Sequence, residues 1–188
     1  MSSVLIQQLA MLINANLSIP FPRSLVYITY RDKLRELVPY MPNVRDIELK
    51  SRRCENERIY CINFWRGGGQ IPLALRAILS EAMLSWTEYQ TWDESNFTLE
   101  WQIETQAFTK AVFCAGQNRF LSKNGTTVIE NRTELRINPE SIEGVPQFLK
   151  KQIASTLEKF LGQKIVANFI QTREGIQKYL EQTVTNQI

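Results

Sequence analysis

The feature that most constrains this chain is a run at residues 147–182 whose apolar positions, Ile153, Leu157, Phe160, Leu161, Ile165, Phe169, Ile176 and Leu180, recur at steps of three, four and seven. That spacing puts them on one stripe of a helix, and no other stretch of the sequence carries so long a helical pattern. A stripe of this length has to be buried against something. Most of residues 11–139, apart from the segment 24–40, reads as strand, so the expected partner is the concave face of one curved sheet. A helix lying along a curved antiparallel sheet encloses a cavity, and the fold class expected is α+β. Gly162 and Gly175 fall inside the run, where each costs about 1 kcal/mol relative to alanine. Close approach to the sheet, a bend, or a helix end near 172–175 would each account for them.

The strands follow from alternation and turn chemistry. Met11, Ile13, Ala15, Leu17 and Ile19 face one way and Asn14, Asn16 and Ser18 the other, a half-buried first strand ended by Pro20 and Pro22. Residues 23–40 carry helical spacing with a break near 30–32, which predicts two short helices, and Pro39 and Pro42 stop them. Residues 44–50 and 58–65 form a hairpin around Glu55 and Asn56. Residues 84–92 and 97–104 flank the turn Asp93-Glu94-Ser95-Asn96. On the second of these strands Phe97, Leu99, Trp101 and Ile103 oppose Thr98, Glu100, Gln102 and Glu104. Residues 110–120 and 126–138 pair around Asn124-Gly125, a strong hairpin signal, and Glu130, Arg132, Glu134 and Arg136 form a solvated ladder. Between 66 and 83 lies an irregular stretch that reads as a flexible turn followed by a short amphipathic helix or a twisted loop over the mouth of the cavity.

With 188 residues and no break in composition, the expectation is one domain over 1–188 with its core at about 11–182. No apolar run approaches the ~20 residues that span a bilayer. Residues 1–10 have no basic segment ahead of their short apolar piece, which argues against a secretory signal and for a cytoplasmic protein. Three cysteines without close spacing suit a reducing compartment and are read as small buried apolar residues. There is no histidine, so Ser-His-Asp and Cys-His catalysis and histidine-bearing metal sites are excluded. A formal charge of +3, with basic residues interspersed among acidic ones outside Lys50-Ser51-Arg52-Arg53, predicts no nucleic-acid partner.

The order strand, helix pair, about six antiparallel strands and one long terminal helix resembles the helix-grip fold of the START-like superfamily, which includes relatives of birch-pollen allergen, polyketide cyclases and lipid-transfer proteins. The resemblance covers about 11–180. It rests on Ile19-Pro20-Phe21-Pro22-Arg23-Ser24-Leu25-Val26, on the segment around Met41-Pro42-Asn43-Val44, and on the terminal amphipathic helix. It implies an internal hydrophobic cavity between sheet and last helix, used across the superfamily for lipids, sterols, polyketides, hormones or quinones, while some members serve protein partners. No catalytic motif matches residue by residue, so no active-site residue is carried over, and neither a metal nor a cofactor is expected.

The aromatic set Trp65, Trp86, Tyr89, Trp92, Trp101, Phe113 and Phe120 is dense for strands; each ring either fills the core or contacts a ligand. Glu88 shares a face with Trp86 and Trp92 and is the one carboxylate whose burial would point to chemistry, although such a glutamate is ordinarily solvated or paired with arginine. Arg66-Gly67-Gly68-Gly69 lacks the spacing of a phosphate loop or a dinucleotide fingerprint and reads as a turn. The ligand-lining residues expected are Trp65, Trp86, Glu88, Trp101, Phe113, Phe160 and Ile165. The leading expectation is non-enzymatic binding or transport of a hydrophobic small molecule, a lipid, isoprenoid or polyketide-like compound. The alternatives are a cyclase- or dehydratase-type enzyme and a protein-interaction module. Residues 71–83 either pack on their own domain or gate the cavity, with transient contact to a membrane surface.

Overall fold

The computed structural model describes residues 10–185, with side chains through residue 183; the secretory-signal reading falls on residues 1–9, outside this range. In chain order the elements are β1 (Met11–Ile19), α1 (Arg23–Asp32), a 3₁₀ helix (Leu34–Tyr40), β2 (Val44–Glu55), β3 (Arg58–Gly67), β4 (Ser85–Asp93), β5 (Thr98–Thr105), β6 (Val112–Lys123), β7 (Thr126–Ile137) and α2 (Lys150–Thr185). The described residues form one seven-stranded sheet in the order β1-β7-β6-β5-β4-β3-β2, every neighbouring pair antiparallel. Strands β2 to β7 follow one another as a meander, and only β1 crosses to pair with β7.

Local chemistry explains the turns. Asn56 and Glu57 both hold positive φ (50° and 63°), as do Asn124 and Gly125 (48° and 80°), the backbone signature of two-residue hairpins whose twist matches the strands. Between β4 and β5 the Asp93 carboxylate accepts from Asn96 N at 3.1 Å. Phe97, which alternation assigns to the following strand, is instead the last turn residue with φ 51°. Bulges in β2 at Val44/Asp46 and Leu49/Ser51 bend that edge strand. β5 keeps the expected alternation, with Leu99 and Trp101 buried and Glu100, Gln102 and Glu104 on the opposite face.

The predicted helix pair is one α-helix and one 3₁₀ helix, separated at Lys33. α1 buries Val26, Tyr27, Thr29 and Tyr30. Tyr27 meets Trp92 and Phe120 edge to face at 5.1 and 5.0 Å, and its hydroxyl donates to Thr98 O at 3.1 Å, so α1 closes one end of the sheet with a packed aromatic cluster. Residues 68–84 are the twisted loop of the two expectations, with 3₁₀ turns at Leu73–Leu75 and Glu81–Met83. A helix this short has little stability of its own, and the segment is held by burying Leu75 and Leu79.

α2 runs for 36 residues and packs against β1, β7 and the Leu34–Tyr40 helix. It passes through both glycines without ending. A Cβ at Gly162 would lie 2.8 Å from Met11 Sδ, and one at Gly175 would lie 3.3 Å from Leu37 Cβ. Close approach is therefore the reason for both. Cys61 and Cys114 are buried as expected, whereas Cys54 is exposed near the end of β2, where the strand has run past the core. Among the described residues no helix is long and apolar enough to cross a membrane.

Candidate functional site

Between the middle of α2 and the concave face lie three small adjoining chambers of about 70, 60 and 70 Å³, each bordered by Trp86 and Asn168. The outer chamber sits beneath the 68–84 loop, between Leu79, Met83 and Leu84 on one side and Leu157, Phe160 and Leu161 on the other. A flanking apolar chamber runs toward β6 and β7, against Val112, Cys114 and Leu135. The inner chamber is bordered by Tyr30, Trp65, Glu88, Trp101, Ile165 and Phe169, with Thr172 at its far side. Phe160, Lys164 and Asn43 separate the outer chamber from an open surface groove of about 480 Å³ beside residues 70–76. Lys164 Nζ donates to Gly68 O at 3.1 Å, and Arg45 pairs with Glu81 at 3.0 Å; both contacts hold the loop down.

The rings are fixed by the strands that carry them. Trp65 and Trp86 are register partners on β3 and β4, and their rings stack at 5.3 Å. Trp101 reaches across β6 because position 116 has no side chain: a Cβ there would come within 2.5 Å of the Trp101 ring. Its indole N–H donates to Asn118 Oδ1 at 3.4 Å, its ring meets Phe169 of α2 at 6.0 Å, and Asn118 is itself held by Asn131 at 2.5 Å, with Thr133 donating to Asn131 at 2.8 Å. On the other side Gln90 Oε1 accepts from Asn63 (3.1 Å) and from Trp92 (2.9 Å). Two buried polar ladders thus brace an otherwise apolar interior.

Glu88 stands between these ladders. It is 7% exposed, and the ordinary fates of such a residue, solvent or an arginine, are both ruled out by its surroundings. Burial raises its pKa to about 7, while the Gln90 amide and the Trp65 indole N–H act in the opposite direction. Neither Glu88 Oε2 nor Trp65 Nε1 makes a hydrogen bond of ordinary geometry, and Gln90 Nε2 and Asn168 Oδ1 are likewise buried without a protein partner. The Tyr30 hydroxyl is pushed well above its usual range by burial and further by the Glu88 charge, with Asn118 partly offsetting both. The Cys114 thiol is pushed up to about 12, chiefly by burial and then by Glu88. Burial lowers the pKa of Lys164, and Arg45 adds to that, against the pull of Glu81. A carboxyl that titrates near neutrality in an aromatic chamber can hold or release a proton, or accept a donor, where water is scarce.

Of the residues expected to line a ligand, Trp65, Trp86, Glu88, Trp101 and Ile165 meet at the inner chamber, and Phe160 borders the outer one. Phe113 does not join them. It points to the convex face with Arg136 stacked 4.2 Å over its ring, because β6 turns Val112 and Cys114 inward. Tyr89 is exposed on the same outer side of β4, and Trp92 and Phe120 belong to the packed cluster under α1. Sequence reasoning missed Tyr30, Lys164, Asn168 and Gly116. The first three lie on helices already placed against the sheet, and a glycine inside a strand is a recognised mark of close approach. Among the described residues no three His, Cys, Asp or Glu side chains cluster to hold a metal ion.

No family model and no curated protein matches the chain. Solved structures do. The Zhui aromatase/cyclase of a Streptomyces species superposes with a TM-score of 0.65 at 11% identity, covering 92% of this chain and 96% of its own. A protein of Thermus thermophilus gives 0.60 at 17% identity over 90% of this chain and 99% of its own. Ara h 8.0201 gives 0.54 at 11% identity over 92% and 99%. At such identities the likeness is one of fold.

Proposed function

Taking as its premise the START-like helix-grip fold that the chain shares with these structures, we propose that it binds a hydrophobic small molecule between the sheet and α2. The apolar body of the ligand lies in the outer chamber and its polar end reaches Glu88. The observation that carries this reading is the adjacency of the chambers, which share Trp86 and Asn168 as walls and lie between the loop-covered outer end and a buried carboxyl whose Oε2 makes no hydrogen bond of ordinary geometry. Apolar burial supplies the drive, at about 25 cal/mol per Å² before ordering costs, and the polar groups choose the orientation. Chambers of 60–70 Å³ are well below the roughly 300–1,000 Å³ of a preformed pocket for a drug-sized ligand. The ligand is therefore slender, or it lifts the 68–84 loop by releasing the Lys164–Gly68 and Arg45–Glu81 contacts. Buried thiols at Cys61 and Cys114 suit a reducing, cytoplasmic setting, and the chain acts as one domain.

A second reading is favoured by the pKa of Glu88, about 7, which gives both protonation states at neutral pH and suits general acid–base work on a bound substrate. That one structural neighbour is an aromatase/cyclase supports it. Native mass spectrometry of protein purified from its own host tests the binding reading: a retained small molecule released by organic solvent is expected, and a consistently bare mass contradicts it. Turnover of a released compound by the same protein, lost in Glu88→Gln, would move the assignment to the second reading.

A further inference from the structure

We propose that the inner chamber is a receptor for a protonated amine, held by Glu88 within a box of aromatic rings. The inference rests on the ligand-binding reading above and names the polar end of the ligand. Five aromatic side chains, Tyr30, Trp65, Trp86, Trp101 and Phe169, border a compact space together with one carboxylate. Among the described residues no basic side chain borders that space, so the charge of Glu88 has no counterion within it. Glu88 Oε2 and Asn168 Oδ1 are acceptors without donors of ordinary geometry, and the two unpaired donors nearby, Trp65 Nε1 and Gln90 Nε2, both act on Glu88 and carry no charge to balance it. An ammonium group supplies donors to both acceptors and the missing positive charge, and aromatic rings attract a cation through their quadrupoles. When Glu88 is ionised, a ligand with a carboxylate would meet like charge and a neutral one would leave the carboxylate uncompensated.

The titratable groups around Glu88 leave this balance to the ligand. Tyr30 from α1 and Cys114 from β6 are kept neutral by burial, and Cys61 from β3 is shifted the same way. Lys164 from α2 borders the adjoining chambers but donates to Gly68 O. With no ligand the carboxyl titrates near pH 7, so amine binding displaces its proton and strengthens as pH rises.

The test is a titration of the full chain, by tryptophan fluorescence and calorimetry, with octylamine (protonated throughout the pH range), octanol and octanoate. At pH 8 octylamine should bind at least tenfold more tightly than octanol. Its affinity should fall about tenfold between pH 8 and pH 6, binding should release about one proton at pH 6 and little at pH 8, and Glu88→Gln should erase its preference over octanol. If octanol binds as tightly as octylamine with no pH dependence, or octanoate binds best, the amine proposal is overturned while ligand binding stands. If none of the three binds, both readings fall. Should Glu88→Gln not fold, the pH dependence of the native protein decides alone.

Discussion

The two halves of α2 carry the same apolar spacing and meet different neighbours. Toward the C-terminus, Ile176 and Leu180 are fully buried, and Gly175 brings the helix backbone against Leu37 of the 3₁₀ helix. Nearer the N-terminus, Phe160, Leu161 and Ile165 also pack on the core, but each borders a chamber on one side. One end anchors the helix, and the other leaves room. The lesson is that a cavity in such a fold needs no special helix; it needs a tight attachment elsewhere on the same helix, so that the loosely filled part keeps its shape.

Substitutions break this comparison to different extents. The largest effect belongs to the anchoring end: Ile176→Ala should lower stability by about 3 to 4 kcal/mol, since the site is closed on all sides and has no solvent to collapse toward. Urea unfolding would measure it. A loss under about 1 kcal/mol would mean that the helix is not anchored there.

Next comes Glu88. Its folded pKa of about 7 lies above the ordinary glutamate value of 4.5, so its contribution to stability is fully present below about pH 4.5 and is lost as pH rises through 7. The loss amounts to about 3 kcal/mol by linkage. Glu88→Gln should accordingly be more stable than the native chain at pH 8 by up to that amount, and no more stable at pH 4. A difference between the two proteins that does not vary with pH would place Glu88 in solvent.

A smaller effect is expected at the chamber. Phe160→Ala should cost about 2 kcal/mol, below the 3 to 5 of a fully packed phenylalanine, because part of its ring already faces open space. The same substitution should speed ligand exchange through the surface groove. A cost equal to or above that of Ile176→Ala would erase the contrast between the halves. The smallest effect is at Phe113, outside the grip: Phe113→Ala should change stability by less than about 1 kcal/mol and leave ligand affinity where it was.

Much of this architecture was legible in the sequence because two periodicities carry it. The stripe from Ile153 to Leu180 marked α2 and its buried face, the parity of β5 marked Trp101 as inward, and the resemblance to the helix-grip fold holds in the seven-stranded sheet. The misassignment of Phe113 had a remedy in the same data: it is seven residues from Phe120, so a regular strand sets the two on opposite faces. Phe97 was lost to a turn that needed a positive φ, a local demand that alternation does not register. The face of Glu88 was readable, but its lack of a basic partner was not, since that depends on which side chains three other elements bring to the same place. Nor does periodicity tell a residue closed in on all sides from one that borders a chamber, the distinction that separates Ile176 from Ile165.

Xenon provides the most direct test of the central contrast, because it enters apolar cavities and not close-packed cores. With leucine and isoleucine methyls labelled, rising xenon pressure should shift the resonances of Leu157, Leu161, Ile165 and Ile103 saturably while Ile176 and Leu180 stay still. Equal shifts in both groups, or none in either, would contradict an α2 that is packed at one end and borders a binding chamber along the other.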